Sequence, residues 1–178
     1  MTKALTYKIK LAKEFAEQKF QETGMGNHFL EVFQILQDDF GIDDESILIA
    51  GILHDTLEDT STTSIEIEQL FSREVARLVE EVSHPKDYTA RQKKEYYEKI
   101  KNISYGGKMI KLADFASHLR KFIGAFTGEN NLPKFTHNEY CIFISSFLDS
   151  LGDSPAKEQV TELNERLNVY ISTYNSRE

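Results

Sequence analysis

Apolar residues recur at helical spacing along most of the chain, and no stretch alternates apolar and polar positions as a half-buried strand would. In residues 3–22, Leu5, Ile9, Ala12, Phe15, Ala16 and Phe20 form one stripe and predict an amphipathic helix. Gly24-Met25-Gly26-Asn27 breaks it. A second helix follows from about His28 to Phe40, with Phe29, Val32, Phe33 and Leu36 inward. Gly41 ends it, and Asp43 or Asp44 stands where the next helix needs a cap. That next helix runs apolar through Ile49-Ala50-Gly51-Ile52-Leu53 and stops abruptly at His54-Asp55.

Further helices follow. Thr63 and Glu66 fit a capping box that opens a short helix to Phe71. Ser72 through Val82 carries the stripe Val75, Leu78, Val79 and Val82, and His84-Pro85 stops it. Thr89 and Gln92 fit a second capping box, before a charged helix with Tyr96, Tyr97 and Ile100. Gly106-Gly107 separates that helix from a strong helical segment near 108–125, and Pro133 marks another break. Residues 136–150 form an apolar helix, and Ser154-Pro155 opens a final amphipathic helix to about Tyr174. The predicted fold is all-α, a compact multi-helix bundle forming a single domain over residues 1–178.

Composition narrows the functions open to such a bundle. A formal net charge of −8 argues against broad nucleic-acid or anionic-membrane binding, though it leaves room for a locally basic pocket. The single Cys141 has no intrachain partner and lies in an apolar run, which fits a buried thiol in a reducing compartment. The first residues lack the apolar core of a signal peptide, and no apolar run reaches transmembrane length, so the cytoplasm is the expected location.

The chemistry concentrates just past the apolar run. On one α-helix, at about 100° per residue, positions 54, 55, 58 and 59 fall within roughly a 140° arc. His54, Asp55, Glu58 and Asp59 would then share a face at a helix C-terminus, where the dipole disfavours anions and apolar neighbours make desolvation costly. A bound cation removes both objections. The plainer alternative is a hydrogen-bonded His-Asp pair beside a solvated acidic helix end. His28, at a helix start after a glycine-containing turn, reads by itself as a capping or surface histidine. Asp114 interrupts an apolar helical stripe, so it needs either a basic partner or a metal ion.

Taken together, His28, then His54-Asp55, then Asp114 resemble the ligand set of the HD superfamily of metal-dependent phosphohydrolases. The stretch from Leu53 to Thr63 is similar to the signature of the hydrolase domain of the Rel/Spo alarmone enzymes, and especially to the stand-alone small alarmone hydrolases. Phe71 to Val75, Leu78 to Ser83 and Gly107 to Asp114 fit the same branch. The likeness covers about residues 8–125. Residues 126–178 carry only helical pattern and are expected to complete the domain by covering the core, closing the pocket or forming a dimer face.

This resemblance implies an HD-domain bundle in which His28, His54, Asp55 and Asp114 hold one divalent ion. A mixed imidazole and carboxylate set suits Mn²⁺, with Fe²⁺ or Mg²⁺ as alternatives. Glu58 and Asp59 fall where the family orients or deprotonates the attacking water. The implied reaction removes the 3′-pyrophosphate of ppGpp or pppGpp, giving GDP or GTP and pyrophosphate. The implied partner is a small nucleotide rather than nucleic acid or membrane; a homo-oligomer is compatible with the pattern but not specified by it.

Substrate positions depart from the family. The basic loop before the first metal histidine is compressed to residues 21–27, without arginine, lysine or tyrosine. The usual basic residue after the metal aspartate is Phe115, and the substrate-contacting asparagine four positions after that aspartate is His118. Arg120 matches a family arginine and could pair with phosphate bidentately. Lys86 falls near a family lysine, and plain surface charge is the alternative for both. His118 could be a partner of Asp114, an added ligand or a proton donor to the leaving group. His84 and His137 have no constellation around them and read as ordinary. Two other functions stay open: the same chemistry on a different nucleotide or phosphate ester, and a non-catalytic metal- and nucleotide-binding protein. Retention of both Glu58 and Asp59 speaks against the second.

Overall fold

The computed structural model describes residues 3–21, 23, 26–84, 87, 89–127 and 136–175, and all regular structure among them is helical. The helices are α1 (Lys3–Gln21), α2 (His28–Gln34), α3 (Glu45–Leu53), α4 (Thr56–Asp59), α5 (Ser64–Leu70), α6 (Arg73–Val82), α7 (Ala90–Ile100), α8 (Tyr105–Thr127), α9 (Thr136–Leu148) and α10 (Pro155–Asn175). Tertiary contacts group the chain into two compact units, with the boundary between Ala113 and Asp114 inside α8.

In the first unit, α3 is the axis. Every residue from Ile47 to Leu53 is buried, so the helix has no polar face to give to water. Helices α1, α2 and α6 pack against it, and α5 packs on α6. The predicted stripes supply these contacts: Ile9, Ala12, Ala16 and Phe20 from α1, and Val75, Leu78, Val79 and Val82 from α6, are all buried.

Side-chain caps start the helices where the sequence places them. Asp44 accepts from Ile47 N–H at 3.1 Å, Thr63 accepts from Glu66 N–H at 3.2 Å, and Ser72 accepts from Val75 N–H at 3.2 Å. Thr89 and Gln92 form the complete reciprocal box. Each satisfies a donor that the first helical turn cannot.

Two expectations are corrected. The helix expected over 28–40 changes character, because residues Ile35–Asp39 form a π-helical turn after α2. Phe40 N–H donates to Ile35 O and Ile42 N–H to Leu36 O, both at 2.9 Å, and Gly41 then turns the chain at φ +66°. Gly106 and Gly107 do not separate two helices; they lie in the first turn of α8. Ser104 Oγ accepts from Gly107 N–H at 3.2 Å and caps the helix. At Gly106 a methyl group would lie 2.9 Å from a Leu78 methyl and 3.0 Å from Ile47 Cγ1, so a side chain there would have to push these neighbours in α6 and α3 aside.

In the second unit, α9 packs on α10, which starts at the Ser154 cap, with Lys157 N–H donating to Ser154 Oγ at 3.2 Å. Phe115 of α8 is buried and meets Tyr140, Phe143 and Phe147 of α9 edge-on at centroid distances of 5.4–6.0 Å. Ile142 of α9 is exposed. Among the described residues, no helix is long and apolar enough to cross a membrane.

Candidate metal centre

The buried axis α3 ends at the site. His54 caps its C-terminus and Asp55 caps the N-terminus of the single turn α4, so the acidic motif lies on a helix–helix junction rather than on one uninterrupted helix. Two side chains close the last turn of α3. His54 Nδ1 bonds Gly51 O at 2.9 Å, and Thr56 Oγ1 donates to Leu53 O at 2.6 Å. Carbonyls at a helix end lack intrahelical donors, and these side chains supply them.

His28 is the first residue of α2, and its ring meets the His54 ring edge-on at 5.3 Å. One ligand atom each from His28, His54 and Asp55 lies within 4.8 Å of the others. His54 is only 2% exposed and Asp55 25%. This part of the set comes together within the first unit.

The histidine chemistry can be followed further. A carbonyl only accepts, so the bond to Gly51 O puts the proton on Nδ1. Nε2 then faces Asp55 Oδ1 at 3.1 Å. That approach is favourable if the ring is doubly protonated, or if a cation lies against both atoms. The neutral Nδ1–H tautomer presents its Nε2 lone pair as metal-binding imidazoles do, with the other nitrogen held by a carbonyl. The residues present therefore fit a divalent metal ion.

The face of three carboxylates and one imidazole expected at positions 54, 55, 58 and 59 is divided. Glu58 turns to His84: Oε1 accepts from His84 N–H at 3.0 Å, and Oε2 lies 3.0 Å from His84 Nε2. The expectation that His84 has no constellation is corrected. Its ring meets the Tyr96 ring edge-on at 5.1 Å, and Tyr96 OH donates to Val82 O. The separation of 26 positions between Glu58 and His84 hid this pair from any local pattern. Asp59, the last residue of α4, is half-buried.

In the second unit, Asp114 is 5% exposed, and its Oδ1 lies 3.1 Å from Nδ1 of His118, one turn along α8. Tyr140 OH lies 3.3 Å from the same nitrogen, and Phe122 stacks on the His118 ring. The His118 ring thus lies beside Asp114. Arg120 is exposed on α8. Lys86 and the side chain of His137 lie outside the described residues.

A family model described as HD domain matches residues 4–123. The chain is 39% identical over 138 residues to guanosine-3′,5′-bis(diphosphate) 3′-pyrophosphohydrolase MESH1 of Drosophila melanogaster, covering 76% of this chain and 75% of that protein. It is 43% identical over 95 residues to the Mus musculus protein of the same name, covering 53% of each. The Homo sapiens protein is 39% identical over 118 residues, covering 61% of this chain and 66% of that one. The chain thus spans about half to two-thirds of the length of these mammalian relatives. Among solved structures, a metazoan ortholog of SpoT that hydrolyzes ppGpp matches with a TM-score of 0.74 and 26% identity, over 92% of this chain and 94% of that one. A Listeria monocytogenes protein matches with a TM-score of 0.66 at 23% identity, a likeness of fold. With an all-helical fold, a histidine–aspartate junction at the end of its buried axis and a family match over most of its length, the chain belongs to the HD-domain family.

Proposed function

We propose that this chain is a metal-dependent phosphohydrolase that removes the 3′-pyrophosphate of ppGpp or pppGpp, giving GDP or GTP and pyrophosphate. The observation that carries the reading is the convergence of His28, His54 and Asp55, with His54 Nδ1 committed to Gly51 O. The substrate follows the activity named for the MESH1 relatives and for the SpoT ortholog.

In this reading His28, His54 and Asp55 bind a divalent ion, and Asp114 is the fourth ligand, as the family likeness implies. Its burial supports that role, because a carboxylate so enclosed needs a positive partner. The donor set suits Mn²⁺, with Fe²⁺ and Mg²⁺ as alternatives. When bound, such an ion polarises a phosphoryl oxygen and acidifies water in the site. Glu58 and Asp59 orient the attacking water, and Glu58 takes its proton. The new bond joins the water oxygen to the phosphorus attached to O3′, and the P–O3′ bond breaks. Pyrophosphate departs, and the proton held by Glu58 returns through solvent to the leaving O3′, which ends as a hydroxyl. Arg120, His118 and Lys86 are assigned to the substrate, Arg120 to a phosphate through its planar fork.

A second reading, the same chemistry on another nucleotide or phosphate ester, is favoured by Phe115. The residue at this commonly basic family position is buried in an aromatic cluster and offers a phosphate nothing. The deciding experiment is turnover by metal-stripped protein resupplied with Mn²⁺, on ppGpp and a panel of other nucleotides. Pyrophosphate release from ppGpp is the expected result. Activity on another nucleotide with ppGpp untouched would replace the substrate, and silence on the whole panel with metal bound would refute the hydrolase reading.

A further inference from the structure

We infer that His84 is a positioning residue that clamps the carboxylate of Glu58 for its work on the attacking water. The inference rests on the hydrolase reading for its consequence and on the geometry for its substance. One residue reaches both oxygens of one carboxylate: the His84 backbone N–H meets Oε1 and the ring Nε2 meets Oε2, each at 3.0 Å. A carboxylate held at both oxygens has lost rotation about its last bond, and each oxygen keeps a further lone-pair direction for water. Such a pre-set geometry is what an oriented base contributes to a reaction.

The clamp is itself held. Tyr96 OH donates to Val82 O at the end of α6, and the Tyr96 ring flanks the His84 ring. Between them, Ser83 Oγ lies 2.7 Å from Val79 O and 3.3 Å from His54 O. The second contact joins the clamp to the backbone of the neighbouring candidate metal ligand. Glu58 and His84 are 13% and 24% exposed, so water competes weakly for their bonds. A surface ion pair formed by chance would not engage the backbone and ring of one residue at once, nor have its imidazole backed by a buried tyrosine.

The test uses the full chain with Mn²⁺ and ppGpp, comparing His84→Phe and His84→Gln with the unaltered protein. Phenylalanine keeps a ring against Tyr96 and removes the donor; glutamine keeps a donor near the position of Nε2. His84→Phe is expected to lower kcat about 10- to 100-fold, the loss of one hydrogen bond to a charged group, with KM and bound metal unchanged. His84→Gln is expected to recover most of it. Unchanged kcat in His84→Phe, or an equal loss in both variants, would overturn the clamp.

A second measurement does not need turnover. In the unaltered chain the His84 Nε2–H should appear in proton NMR as a slowly exchanging, hydrogen-bonded resonance that Glu58→Ala abolishes. Its absence would overturn the clamp even in an active enzyme. Its presence in a chain that hydrolyses nothing would leave the clamp standing and remove the hydrolase reading.

Discussion

One chemical change, glycine to alanine, should have opposite effects at two helical sites. Gly51 lies in α3, where a methyl group would sit 2.3 Å from Leu36 Cδ1. Unstrained carbon pairs need about 3.5–4.0 Å, so a displacement of more than about 1 Å is required. Leu36 is wholly buried, and Val32 closes the same side, its Cγ1 3.8 Å from the new methyl. Overpacking of this kind costs about 1–3 kcal/mol, against about 1 kcal/mol gained from alanine's helix propensity. Gly51→Ala should therefore lose up to about 2 kcal/mol. Gly124 is exposed in the last turn of α8, with nothing within 4 Å of an added methyl. There only the propensity acts, and Gly124→Ala should gain about 1 kcal/mol. Urea unfolding followed by far-UV circular dichroism measures both, with the slope checked for constancy. In thermal melts each kcal/mol should move the midpoint by about 2–4 °C in a chain of this size. Displacing α3 also moves the carbonyl that holds His54, so Gly51→Ala should bind Mn²⁺ more weakly. Equal stabilisation by the two variants would refute the packing argument and mean that Leu36 swings aside freely.

Three further outcomes are expected. Asp55→Ala and Asp114→Ala should each abolish metal binding, read by elemental analysis after dialysis, while helix content stays within a few per cent of the parent; retained metal would remove that residue from the ligand set. Glu58→Ala should keep the ion and lower kcat about 10²- to 10⁴-fold in pyrophosphate-release assays, and a fully active variant would end its catalytic assignment. Burial pushes the Cys141 thiol up to about 11 from an ordinary 9.0. The unfolded chain therefore releases this proton first, so the thiol's contribution to stability is complete below about pH 9 and is lost as pH rises through 11. The stability advantage of the parent over Cys141→Ala should shrink across that range, and a pH-independent difference would contradict it.

What could be read from the sequence was local. Thr63, Thr89, Ser154 and the Asp43-Asp44 pair announced helix starts because a cap acts within three residues of itself. The stripes of α1 and α6 were legible because burial on one side imposes a period of about 3.6. The glycine pair at 106–107 was misread, since backbone freedom there was outweighed by the Ser104 cap and by contact with Leu78 and Ile47. No pattern announces the π turn at Ile35–Asp39, whose bonds are made by backbone alone. At the site, His54 and Asp55 stood out by adjacency to an apolar run. His84 did not, because its meaning lies in a partner on a different helix. The junction after Leu53 was likewise hidden: a helix that continues and one closed by Thr56 and His54 share the same apolar spacing.

The enclosure of α3 also governs how its amides exchange. Amides in a helix buried on every side exchange with solvent only through large openings, so residues 47–53 should be among the slowest to exchange in the first unit. His54 and Asp55 follow directly on this slowest segment. The backbone that carries them is thus anchored to a buried helix. If His54 and Asp55 bind the proposed ion, its arrival should leave the amide-exchange pattern of α3 almost unchanged.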